Sequence, residues 1–168
     1  MASSLLIVDA GPLIALSIAD VLPQAIHLYK KFCVPQSIID ECLADAHAPG
    51  AEAISLALQN QALHAIAQTD ITPLDAAYAL GLGSGEAAVI SYAAQHKHSA
   101  LVDDRKARKI AQRLQVRLVG SGSVLLALKL SGQIEKIAPA LRAWHAHGYF
   151  VAPRVTDELL QRAGELSL

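Results

Sequence analysis

Four short runs of aliphatic and β-branched residues, at 5–8, 32–34, 100–102 and 116–119, are separated by segments with helical periodicity. Strands that alternate with helices pair in parallel, because a parallel neighbour is reached only through a long crossover connection. The pattern therefore predicts an α/β domain with a mostly parallel central sheet. Helices are expected at 13–19, 37–46, 52–61, 75–80, 86–95, 104–114, 123–130, 134–145 and 156–163. No internal repeat, low-complexity stretch or linker interrupts the 168 residues, so one domain spanning 1–168 is expected. A chain of that length buries about two thirds of its unfolded surface.

Composition excludes some classes. Hydrophobic residues make up 53% of the chain, and the mean hydropathy is +0.35. No uninterrupted apolar run approaches the ~20 residues of a spanning helix, and no signal-peptide pattern is seen at the N-terminus, so no membrane association is expected. Cys33 and Cys42 sit among apolar neighbours and read as reduced thiols of a cytoplasmic protein. A net charge of −1 argues against a wholly basic nucleic-acid binder. It leaves room for an enzyme whose acidic site offsets a local basic face.

In parallel sheets, ligands bind beyond the carboxyl ends of the strands, so the residues just after each run carry the most weight. The first run, in "LLIVDAGPLIAL", ends on Asp9 before a Gly11-Pro12 turn; "SALV" is followed by Asp103 and Asp104. Each acid alone has a structural explanation. Asp9 fits a helix cap, and Asp103 or Asp104 fits the cap of the next helix, although one cap does not need two acids. Glu86 follows Gly85 in the first turn of a helix that Ser84 is placed to cap, where the helix dipole favours a carboxylate. In "VPQSIIDECL", Ile38, Ile39, Cys42 and Leu43 share an apolar face, with Asp40 and Glu41 on its two flanks; periodicity does not choose between them. Taken together, carboxylates converging on one sheet edge would repel one another unless a cation lay among them. Oxygen donors of this kind suit Mg²⁺ or Mn²⁺, ions that support phosphodiester hydrolysis.

Four segments in order, "LLIVDAGPLIAL", "VPQSIIDE", "GLGSGEAAVISYA" and "ALVDDRKARKIAQRL", resemble the PIN-domain nucleases. The resemblance continues through "GSGSVLLALKLSGQI" and "HGYFVAPRVTDELLQRAGE". It looks closest to a bacterial and archaeal branch with a Gly-x-Gly-Glu motif, which is similar to the toxins of type II toxin–antitoxin pairs. The resemblance implies a three-layer α/β/α fold and an Mg²⁺- or Mn²⁺-dependent endoribonuclease. It also implies a small antitoxin partner and a homodimer. Carried across, Asp9 matches the first metal-site acid, Glu41 the helix glutamate, Glu86 a third acid that is Asp in many members, and Asp103 or Asp104 the last. Many active members have Thr or Ser just before the last acids, where this chain has Val102. These departures define an alternative: a PIN-fold module that binds nucleic acid or protein and catalyses weakly.

After Asp104, Ala107, Ile110, Ala111 and Leu114 recur at helical spacing and should face the core. Arg105, Lys106, Lys109 and Arg113 then form an exposed basic stripe, with Arg108 on its flank, able to follow an RNA backbone or simply to be solvated. Aromatic residues amount to 4%, so base stacking is not expected to set any sequence preference. "GLGSGE" lacks the lysine of a phosphate loop and reads as a flexible lead into the Glu86 helix, and "GSGS" at 120–123 reads as a turn. His96/His98 and His145/His147 lack a third ligand and read as surface pairs; Trp144 and Tyr149 read as core or dimer contacts.

Overall fold

The computed structural model describes residues 5–166. In chain order its elements are β1 (Leu6–Val8), α1 (Ala10–Ile18), α2 (Leu22–Tyr29), β2 (Phe32–Pro35), α3 (Gln36–Cys42), α4 (Ala51–Gln59) and β3 (Leu63–Ile66). After a 3₁₀ turn at Gln68–Asp70 come α5 (Ala76–Ala79), α6 (Ser84–His96), β4 (Ser99–Leu101), α7 (Arg105–Arg113), β5 (Arg117–Val119), α8 (Ser121–Leu130), α9 (Ala138–Ala146) and α10 (Pro153–Ala163).

All five strands are parallel, in the order β3-β2-β1-β4-β5, with helices flanking the sheet in a three-layer α/β/α arrangement. The strands are apolar on both faces: Ile7, Val8, Phe32, Val34, Ala100 and Leu101 have no exposed surface. Such continuous runs, rather than alternating ones, are what a sheet covered on both sides requires. Burying each larger side chain fully contributes about 1.5–3 kcal/mol. β1 is central, and the order runs outward from it in opposite directions, through β2 to β3 and through β4 to β5. That reversal puts the ligand crevice of an open α/β sheet beyond the carboxyl ends of β1 and β4.

Several expectations shift. The anticipated Gly11-Pro12 turn is absent: both residues lie in the first turn of α1, which starts at Ala10 rather than residue 13. Proline is tolerated there because the first amides of a helix have no intrahelical acceptor. Pro153 begins α10 three residues before the expected start, and Pro139 keeps α9 from reaching back to residue 134. α3 stops at Cys42, short of the expected 46. Strand β3 and helix α2 were not anticipated. Among the described residues no helix is long and apolar enough to cross a membrane.

Candidate active site

Asp9 follows β1 at the crevice, its amide donating to the Leu101 carbonyl of β4 at 3.1 Å. It occupies the N-cap position of α1, yet its side chain makes no cap hydrogen bond. Asp9 as a whole is only 7% exposed. Burial pushes its pKa up to about 6; the Ala10 amide pulls the other way, and the charges of Glu86, Glu41 and Asp103 add to the rise. Three carboxylates from three other parts of the chain thus act on Asp9, and the capping role it fits in sequence is not the one it plays.

Glu41 lies in the last turn of α3. Its charge raises both Asp9 and the neighbouring Cys42 thiol, which burial, Glu41 and Asp9 push up to about 11. Asp40, on the other flank, instead accepts from Gln36 Nε2 at 2.8 Å. The choice that helical periodicity leaves open therefore falls to Glu41. Cys33 and Cys42 are buried free thiols.

Glu86 arrives through a close packing contact. A Cβ at Gly85 would sit 2.9 Å from Ile38 Cγ1, so the glycine lets the start of α6 press against α3, which carries Glu41. The cap of α6 is Gly83, not Ser84, which is the first helical residue. Glu86 Oε2 turns back to accept from the Gly83 amide at 2.8 Å.

The two adjacent acids divide their work. Asp104 caps α7, its Oδ1 accepting from the Lys106 and Ala107 amides at 2.8 Å each. It does not figure among the charges acting on Asp9. Asp103 does, and it is gripped on both oxygens. Its Oδ1 accepts from the Ser121 amide at 2.8 Å, and its Oδ2 accepts from the hydroxyls of Ser121 and Tyr149, both at 2.5 Å. The "GSGS" segment is therefore the start of α8, with Gly120 as its cap. The anion at that helix terminus is the protein's own Asp103. Val102 brings no hydroxyl to this acid; the two hydroxyls on Asp103 are those of Ser121 and Tyr149.

Tyr149, which the sequence marks only as a core or dimer contact, is the second hydroxyl on Asp103. It packs against Trp144 with ring centroids 5.5 Å apart, while Trp144 is buried and donates through Nε1 to Ala15 O at 2.7 Å. Burial and the Asp103 carboxylate push the Tyr149 hydroxyl far above its ordinary range. Only a turn residue 46 positions after Asp103, folded back over the sheet edge, signals this role, and nothing in local periodicity marks it.

None of the four acids is in an ion pair: the one ion pair among the described residues is Lys129–Glu165, remote in sequence from all four. Arg108 instead donates to the Val102 and Val119 carbonyls at 2.8 and 3.4 Å, closing the ends of β4 and β5. Arg105, Lys106, Lys109 and Arg113 are exposed, while Ala107, Ile110 and Ala111 are buried, so the α7 stripe is laid out as its periodicity predicts. Beside Asp103 opens a groove of about 340 Å³ whose lining includes Ser121, Ser123, Tyr149, Val155 and Arg162. Phe150, 84% exposed, stands on its rim and offers one free aromatic ring despite the low aromatic content. Of the paired histidines, His96 and His98 stack on each other next to Tyr92, His147 bonds the Ala143 carbonyl, and His145 lines a pocket with Trp144, Tyr149 and Phe150.

Asp9, Glu41, Glu86 and Asp103 offer only oxygen donors, which in kind and charge suit a hard divalent cation. Among the described residues no three His, Cys, Asp or Glu groups are already drawn together as a ligand cage. Like charges without a counter-ion are expected to stand apart in this way, with Glu86 held on the Gly83 amide.

A family model described as DUF3368, PIN domain, matches residues 5–165. Searches of curated proteins and of solved structures returned no match.

Proposed function

Because this chain belongs to the PIN domain family, whose members are generally nucleases, we propose that it is a metal-dependent endoribonuclease, the toxin of a type II toxin–antitoxin pair. The observation that carries the reading is the buried Asp9 carboxylate, surrounded at the sheet's switch point by the charges of Glu86, Glu41 and Asp103. The charges of Glu86, Glu41 and Asp103 oppose ionisation of Asp9, and none of the four acids is in an ion pair among the described residues, so a bound cation would relieve that repulsion. Asp9, Glu41, Glu86 and Asp103 would hold Mg²⁺ or Mn²⁺. Once bound, such an ion lowers the pKa of a water and stabilises the leaving oxygen of a phosphodiester. Asp9, deepest in the crevice, fixes the inner end of the site, and Asp103 is set by its three donors. Arg105 and Lys106, exposed at the start of α7 next to Asp103 and Asp104, offer positive charge to the incoming RNA backbone. A water nucleophile makes a covalent protein intermediate unnecessary.

The reading extends to a small antitoxin protein covering the acidic crevice and to a homodimer, to which exposed Leu56, Leu80 and Leu130 offer apolar contacts. Purified protein incubated with single-stranded RNA and Mn²⁺ is expected to cleave it. Asp9→Asn is expected to lose about 100-fold or more, the scale of a lost metal contribution. Equal cleavage by both proteins would remove Asp9 from the metal site. One observation favours a second reading, a PIN-fold module that binds RNA or protein without efficient cleavage: Glu86 is engaged with its own helix terminus. RNA retained but uncut by wild type in Mn²⁺ would support it.

A further inference from the structure

Tyr149 has a hydroxyl that packing does not require. Phenylalanine would fill the same space against Trp144, and a Cβ at Gly11 would lie 3.8 Å from the hydroxyl, so the fit to α1 leaves room around it. The hydroxyl instead donates to Asp103 Oδ2 at 2.5 Å, where Ser121 Oγ donates as well. A carboxylate has about four lone-pair sites, two on each oxygen. Both on Oδ2 are filled by hydroxyls, and one on Oδ1 is filled by the Ser121 amide. A single Oδ1 position is left for an outside ligand.

We propose that Tyr149, with Ser121, is a positioning residue that restricts Asp103 to one-oxygen coordination and so sets which divalent cation the crevice prefers. The inference rests on the metal-dependent reading above. Small octahedral ions accept a carboxylate through one oxygen, whereas Ca²⁺ takes more oxygens and readily uses both of one carboxylate. Holding Oδ2 closed thus favours Mg²⁺ and Mn²⁺ over Ca²⁺. It also keeps the carboxylate from swinging across the start of α8. The C-terminal part of the chain, through the turn after α9, thereby reaches into a site whose acids all come from its first 103 residues.

The test is direct Mn²⁺ binding to full-length protein, read by loss of the free Mn²⁺ paramagnetic resonance signal, with Ca²⁺ as competitor. Wild type, Tyr149→Phe, Ser121→Ala and Asp9→Asn are compared, with Trp144 emission and the thermal midpoint reporting the fold. Tyr149→Phe is expected to weaken Mn²⁺ binding about tenfold, the usual scale for losing a partner behind a ligand. Ca²⁺ should compete better in Tyr149→Phe than in wild type. Ser121→Ala should shift both quantities in the same direction. A merely structural tyrosine would change the melting midpoint and leave the ratio of Ca²⁺ to Mn²⁺ affinity alone. Unchanged Mn²⁺ affinity and unchanged Ca²⁺ competition in both Tyr149→Phe and Ser121→Ala, with Asp9→Asn impaired, would overturn this inference and leave the metal site standing. Wild type and Asp9→Asn binding Mn²⁺ alike, or neither binding it, would overturn both.

Discussion

At Asp9 the requirements of folding and of chemistry pull in opposite directions. A carboxyl that titrates at about 6 in the folded chain and near 4 in the unfolded one favours folding only while protonated. Its contribution is full below about pH 4 and is lost as pH rises through about 6, a loss of about 3 kcal/mol by neutral pH. The metal-free protein should therefore melt at progressively lower temperature as pH rises from about 4 through about 6 in EDTA, and level off by about pH 7.5. Asp9→Asn should flatten that slope and raise the midpoint at pH 7.5, while no longer gaining stability from Mn²⁺. A wild-type midpoint flat across this range would show that Asp9 is not the strained group. Glu165 has the opposite sign. Burial works against its charge, but the Lys129 bond and the Ile137 and Ala138 amides outweigh that and hold its pKa below the ordinary range. Its contribution is present at neutral pH and disappears as pH falls into the acid range.

Secondary structure was legible where the side chains leave little choice. β1, β2, β4 and β5 announce themselves as aliphatic runs, and α7 as an apolar stripe behind a capping Asp104. Strand β3, "LHAI", has exposed His64 and Ala65 in its middle and pairs along one edge only, with β2, so no apolar run marks it. Helix α2, "LPQAIHLY", begins with a proline at its first turn and buries only Leu22, Ala25 and Ile26. At the site, Asp9 and Glu86 can be found from their neighbours in sequence. The choice of Asp103 over Asp104 depends on which carboxylate meets α8 and which meets α7, and that is a property of the assembled fold. The packing of α3 against α6 has its own test. Gly85→Ala would force Ile38 or the start of α6 to give way, at about 1–3 kcal/mol. Cleavage is expected to fall by more than the stability loss explains, because Glu86 moves with α6. Wild-type activity in a destabilised but folded Gly85→Ala would separate Glu86 placement from this contact.

Across the whole molecule, the C-terminal third works as a strap. Trp144 anchors to α1, Tyr149 to Asp103, and Glu165 to Lys129 of α8 and the first amides of α9. Glu165→Ala leaves those amides and Lys129 without their acceptor and is expected to cost about 2 kcal/mol, read as a lower unfolding midpoint at pH 7. The charge distribution has a similar long reach. The overall charge is −1, so general attraction cannot bring a polyanion to this surface. The exposed face of α7, whose first residues adjoin the acids, is the densest run of positive charge in the chain. If that face tracks the RNA backbone, affinity should fall with salt through the few contacts it makes. For single strands the logarithmic slope changes by about 0.7 for each phosphate contact. Lys109→Ala with Arg113→Ala removes two exposed cations far from the crevice. The pair should reduce the slope by about 1.4 and weaken binding at low salt, with the rate at saturating RNA nearly unchanged. Fluorescence anisotropy with labelled RNA and the uncut-binding variant Asp9→Asn as background measures this without cleavage. An unaltered slope would mean that α7 is only a solvated helix and that the RNA crosses elsewhere, the groove below Phe150 being the other surface adjoining Asp103.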